Sequence, residues 1–122
     1  LALDACQKKK IIHRDLKPEN LVFDSRGYLK LTDFGIAEEM IGEDYDNHEI
    51  QSGTPGYSAP EVMLCRNHSL SADYFAVGVI AHECMTSKRP YRGKNKNQIR
   101  DLMLSDQVQV EIKEGSPWDD YP

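Results

Sequence analysis

The chain has 122 residues, 39% hydrophobic and 29% charged, which supports a small packed core and excludes a disordered polymer. Its formal net charge of −5 argues against nucleic acid as the main partner, because phosphate binding needs a basic face. No apolar run approaches the roughly 18 residues of a membrane-spanning helix, and the three cysteines (Cys6, Cys65, Cys84) form no disulfide framework, so an intracellular, cytoplasmic setting is expected.

In chain order, Leu1 to Cys6 reads as the last turns of a helix that ends in Lys8-Lys9-Lys10, where cations suit the helix dipole. Ile11-Ile12 is a short extended segment. Leu21-Val22-Phe23 is another, followed by an Asp24-Ser25-Arg26-Gly27 turn. The alternating run Tyr28 to Thr32 then pairs back as a hairpin. Residues 13–20 form a polar loop between these extended pieces. Residues 36–59 show little periodicity, carry Gly42, Gly53, Pro55 and Gly56 with the acidic patch Glu43-Asp44-Tyr45-Asp46, and read as a long functional loop.

Ser71 to Met85 is the clearest helix, with Ser71 as its cap and Asp73 in its first turn. It is apolar on nearly every side, which predicts burial, and Gly78 predicts close packing. Ser87-Lys88-Arg89-Pro90 ends it. Gln98 to Leu104 is amphipathic through Ile99, Leu102 and Met103. Val108 to Ile112 alternates like a strand or an extended connection. The chain starts mid-pattern, without Met, and stops at Pro122; both ends read as cut.

The chemistry concentrates in "HRDLKPEN", residues 13–20, and in Asp33-Phe34-Gly35. Asp15 and Asn20 on one loop and Asp33 on the next supply hard oxygen donors of the kind Mg2+ takes, with water and substrate phosphate completing its shell. Asp15 can accept a proton from an incoming hydroxyl, and Lys17 sets a positive charge where phosphoryl charge would develop. A zinc module on Cys65 and His68, or on His82 and Cys84, is an alternative, but neither pair has a second pair of ligands at metal spacing.

His13-Arg14-Asp15-Leu16-Lys17-Pro18-Glu19-Asn20, Asp33-Phe34-Gly35 and Ala59-Pro60-Glu61, in this order, resemble the catalytic loop, metal-binding triplet and activation-segment end of eukaryotic protein kinases. The resemblance spans nearly the whole chain. It implies an α+β protein-kinase-like fold. The part present is the mainly helical core of the C-terminal lobe, with a short β-hairpin carrying the catalytic loop and the Asp-Phe-Gly triplet. By the same resemblance, residues 1–122 are a partial kinase domain. The smaller lobe, with its Gly-rich loop, strand Lys and helix Glu, would precede Leu1, and the 122 residues alone are expected to be inactive.

The resemblance also implies roles. Asp15 resembles the proton acceptor and Lys17 the group that steadies the γ-phosphate, the latter a Ser/Thr-kinase feature. Asn20 and Asp33 resemble the Mg2+ ligands, and Val22 the apolar residue under the adenine of ATP. Glu19 stands with the nucleotide-binding residues, and together with Glu83 it resembles acidic positions that bind an Arg upstream of the acceptor. Thr54 resembles the threonine bonded to the catalytic Asp and Lys. His13 and Phe34 resemble packed spine residues, and Asp73 the aspartate that holds the loop backbone. Glu61 resembles the partner of an Arg that would lie beyond Pro122. Gly53-Thr54-Pro55-Gly56-Tyr57 and Asp73 to Gly78 look like the AGC group.

Arg14 resembles the arginine that meets an activation-loop phosphate, but the usual phosphorylated Thr position is Ile50. Either Ser52 is the phosphosite, or Glu49 or Asp46 supplies permanent negative charge. The implied activity is transfer of the γ-phosphoryl of Mg·ATP to Ser/Thr hydroxyls of proteins. A pseudokinase scaffold of the same fold is the alternative.

Overall fold

The computed structural model describes residues 2–42 and 52–105, and in them two short antiparallel β pairs sit among four α-helices. Helix α1 (Ala2–Lys8) carries an i,i+4 Asp4–Lys8 pair at 3.0 Å and buries Cys6. Strand β1 (Ile11–Ile12) follows it directly. A single 3-10 turn, Pro18–Asn20, opens with Pro where a missing N–H costs nothing, and leads into β2 (Leu21–Phe23).

β2 pairs with β3 (Leu29–Leu31) in the register Leu21–Leu31, Val22–Lys30, Phe23–Leu29. The turn between them is local chemistry. Asp24 Oδ1 accepts the N–H groups of Arg26 and Tyr28, and Gly27 takes φ 82°. The Asp24 carboxyl is held below its usual range chiefly by the Tyr28 N–H, against some desolvation, with further help from Arg26 and Lys30.

The stretch after Asp33 is not wholly irregular, as its lack of periodicity had suggested. Glu38–Glu39 forms β4 and pairs with β1, Ile12 opposite Glu38 and Ile11 opposite Glu39. Two-residue strands carry too little periodicity to be seen in a sequence. Helix α2 (Pro60–Met63) starts on Pro, α3 spans Ser71–Thr86, and α4 spans Lys96–Ser105.

Among the described residues the core comprises three small clusters. Leu16, Tyr57, Ala76 and Val79 form one; Ala59, Val62 and Ala72 a second; Met63, Ile99 and Met103 a third. Phe75 of α3 touches all three and stacks on Tyr91 at 6.2 Å, so α3 ties the clusters together.

Two expectations for α3 need correction. Ser71 does not cap it: the flanking residue is Leu70, without a side-chain cap, and Ser71 lies in the first turn. The hydroxyl that meets a backbone N–H there is Ser69 Oγ, 3.4 Å from Ser71 N. Nor is the helix buried all round. Ala72, Asp73, Ala76 and Val79 are covered, whereas Tyr74 is 48% and Val77 42% exposed. A Cβ on Gly78 would meet nothing within 4 Å, so that glycine marks no close approach to the described residues. The described elements pack along one stripe of the helix only.

The C-terminal end follows expectation. Ser87 adopts the left-handed conformation, φ 58°, and its N–H bonds Glu83 O at 2.8 Å. Among the cysteines Cys6 is buried, but Cys65 and Cys84 are exposed. The expected strand Val108 to Ile112 lies outside the described residues, as do Asp46, Glu49 and Ile50.

Candidate active site

Residues 13–17 lack regular structure, yet long-range bonds hold the start of their backbone. The cause is Asp73, 2% exposed in the first turn of α3. Its Oδ2 accepts the His13 N–H at 2.8 Å and its Oδ1 the Arg14 N–H at 3.0 Å. Charge-assisted bonds of this kind offset the strain of Arg14, which sits at φ 69° where a side chain is disfavoured by about 1–2 kcal/mol. His13 is fully buried. Its Nε2 lies 3.0 Å from Thr32 O and its Nδ1 accepts the Asp15 N–H at 3.3 Å, so both ring nitrogens are engaged. Phe34 meets the same ring edge-on at 4.8 Å. Leu16, on the far side of Asp15, is anchored in the first core cluster. Asp15 is therefore pinned from both sides.

The Asp15 carboxylate collects three donors. Lys17 Nζ reaches Oδ2 at 2.7 Å, Thr54 Oγ1 donates to Oδ1 at 2.7 Å, and Asn20 Nδ2 lies 3.3 Å from Oδ2. Lys17 Nζ also donates to Thr54 Oγ1 at 3.0 Å, which closes the triangle. Burial is the largest single influence on Asp15 and opposes its charge. The hydrogen bonds from Lys17 and Thr54, the Lys17 charge and the Asn20 bond together outweigh it and hold the carboxyl below its usual range. Lys17 is pushed up, first by its hydrogen bond to Asp15, against desolvation, then by the charges of Asp15, Glu19 and Asp33. The ion pair is thus the form present at neutral pH.

Asn20 is 6% exposed, and its Nδ2 is committed to the Asp15 carbonyl at 2.9 Å as well as to the carboxylate. Its Oδ1 is the atom left to face a cation. The Thr32 N–H and Oγ1 both donate to Asn20 O, at 2.9 and 3.1 Å, and this ties the residue preceding Asp33 to Asn20. Asp33 takes φ 59°, and its Oδ1 accepts the Gly35 N–H at 3.1 Å. An amide oxygen and a carboxylate on neighbouring backbone are hard oxygen donors, so the set fits Mg2+.

Val22 lies on the hairpin at 44% exposure, and Glu19 is exposed within the 3-10 turn. Neither joins the Asp15 triangle. Glu83 also lies apart from that triangle: its Oε2 accepts the Tyr57 hydroxyl at 2.5 Å, with Arg89 5.5 Å above the Tyr57 ring. Tyr57 is pushed well above its ordinary range by burial and by that carboxylate.

Sequence reasoning missed the partner of Arg14. Its Nη1 lies 2.5 Å from Glu38 Oε2 and its Nε 2.7 Å from Ile36 O. Glu38 carries no sequence signal of this role, because a two-residue strand is what brings it there. Ser52, one expected phosphosite, has its Oγ buried without a hydrogen-bond partner among the described residues.

The protein kinase domain family matches residues 1–121 of this chain. Ribosomal protein S6 kinase alpha-6 of Danio rerio is 41% identical over 104 residues, which is 85% of this chain and 14% of that protein. The Homo sapiens alpha-6 and alpha-2 kinases are 41% and 42% identical over the same length and the same shares. The chain therefore spans about one-seventh of the length of these curated relatives. A match of that extent, on a chain whose loop, triplet and anchoring aspartate meet in space as described, leads to one conclusion: the chain belongs to the protein kinase domain family and carries part of its fold.

Proposed function

We propose that the protein containing this chain is a serine/threonine kinase, AGC-like in type, that transfers the γ-phosphoryl of ATP to Ser or Thr hydroxyls of protein substrates. The observation that carries the reading is Lys17 Nζ bridging Asp15 Oδ2 and Thr54 Oγ1. This triangle fixes a carboxylate and an ammonium side by side, where a hydroxyl proton must be received and phosphoryl charge must be met.

In the reaction the acceptor oxygen bonds to the γ-phosphorus, the bond from that phosphorus to the bridging oxygen breaks, and ADP leaves with the electron pair. The hydroxyl proton passes to Asp15. Because its three donors make Asp15 a weak base, it orients the hydroxyl first and takes the proton late, once bonding to phosphorus has made that oxygen acidic. Asn20 and Asp33 would hold Mg2+, which would supply charge neutralisation to the phosphates. Val22 would lie under the adenine. The exposed Glu19 and the Tyr57-bonded Glu83 face substrates with an Arg upstream of the acceptor. The setting is intracellular.

The test uses the full-length protein with Mg·ATP and a basic Ser/Thr peptide. Asp15→Asn should lower kcat by about 10²–10⁴, with folding intact by circular dichroism. If wild-type and Asp15→Asn proteins transfer phosphate equally, or not at all, the pseudokinase scaffold takes the place of this reading.

A further inference from the structure

Arg14 precedes the carboxylate of the active site, and only 11% of its side chain is exposed. A guanidinium that deep needs an anion, since an unpaired buried charge costs several kcal/mol. A phosphate added to a nearby hydroxyl is one solution, and such modifications order segments through arginine in many switches. The chain contains its own anion. Glu38 Oε2 sits 2.5 Å from Arg14 Nη1, and Ile36 O takes the Nε–H at 2.7 Å.

Glu38 is held there by backbone rather than by chance of rotamer. It lies opposite Ile12 in the β1–β4 pair, and the next bond along that ladder runs from Met40 N to Lys10 O at 2.8 Å. Arg14 also reaches the far end of the same segment. Gly53 adopts φ 83°, and a Cβ there would stand 2.4 Å from Arg14 O. One residue earlier, Ser52 Oγ is buried and has no hydrogen-bond partner among the described residues. A phosphate on Ser52 would have to break that packing, then meet an arginine already paired with a carboxylate.

We infer that Glu38 is a positioning residue, a permanent counter-ion for Arg14 that holds both ends of the segment between Asp33 and Ala59 against the catalytic loop without any phosphate. The inference rests on the kinase reading for its consequence in catalysis, but its structural half stands independently. No phosphate on Ser52 is needed for it.

The experiment takes the full-length protein, treated with phosphatase until mass spectrometry finds no phosphate on residues 33–59. Hydrogen exchange at the amides of residues 36–40 is the deciding measurement. Exchange should be the same before and after phosphatase in the wild type, at least about tenfold faster in Glu38→Gln, and largely restored in Glu38→Asp. In the same preparations kcat should be unchanged by phosphatase and lowered about tenfold or more by Glu38→Gln, while Arg14→Gln/Glu38→Gln should be no worse than Glu38→Gln alone. Exchange that quickens on phosphatase treatment, or that ignores Glu38→Gln, overturns the inference. A protein that shows the exchange pattern but transfers no phosphate leaves the positioning role standing and sinks only the kinase reading.

Discussion

The polar loop at residues 13–17 and the β2–β3 hairpin lie a few residues apart and are held in opposite ways. The hairpin has regular pairing and a turn built from its own residues, Asp24 and Gly27. It is also largely exposed, with Phe23 at 74% and Leu29 at 52%. The loop has no regular pairing, yet His13 is fully buried, and its bonds come from Asp73, 60 residues away, and Thr54, 39 residues from Asp15. Regular structure here accompanies local stability, while irregular structure is fixed by distant, charged, buried partners.

The largest way to break that contrast is Asp73→Ala. It strands the N–H groups of His13 and Arg14 and removes charge-assisted bonds, so it should destabilise the full-length protein by about 3–5 kcal/mol. Chemical denaturation checks this. A loss below about 1 kcal/mol would mean that the loop does not depend on its distant anchor.

A matched pair of substitutions sharpens the comparison. Gly53 and Gly27 have nearly the same φ, 83° and 82°, so replacing either with Ala meets a similar positive-φ penalty. They differ in surroundings. A Cβ at Gly53 would lie 2.4 Å from Arg14 O, whereas at Gly27 it meets nothing within 4 Å. Gly27→Ala should therefore show the bare strain of about 1 kcal/mol. Gly53→Ala should cost clearly more and also lower kcat, because the segment must move off the catalytic loop. Equal losses in denaturation would show that packing on the loop adds nothing.

The smallest effect is the response to acid. Asp15 has its carboxyl held below the ordinary value in the folded protein, so its paired state contributes stability above the unfolded value, about 3.9. That contribution is lost as pH falls through the lower folded value. The stability difference between wild type and Asp15→Asn should stay flat from neutral pH to about 5 and shrink below about 4. A difference that instead changes between about pH 6 and 8 would place another titrating group, not Asp15, in control.

Much was legible in the sequence alone. The loop at 13–20, the triplet at 33–35 and the Ala59-Pro60-Glu61 segment name the family because their chemistry is packed into short stretches of fixed spacing. The hairpin and α3 were legible too, since turn residues and a long apolar run act locally. Tertiary structure decided the rest. It left Tyr74 and Val77 of α3 exposed, placed Leu70 rather than Ser71 at that helix's edge, and occupied Glu83 with Tyr57. Above all it gave Arg14 its counter-ion, Glu38, through a strand only two residues long. An ion pair spanning 24 residues depends on which backbones meet, and no spacing within one segment encodes that.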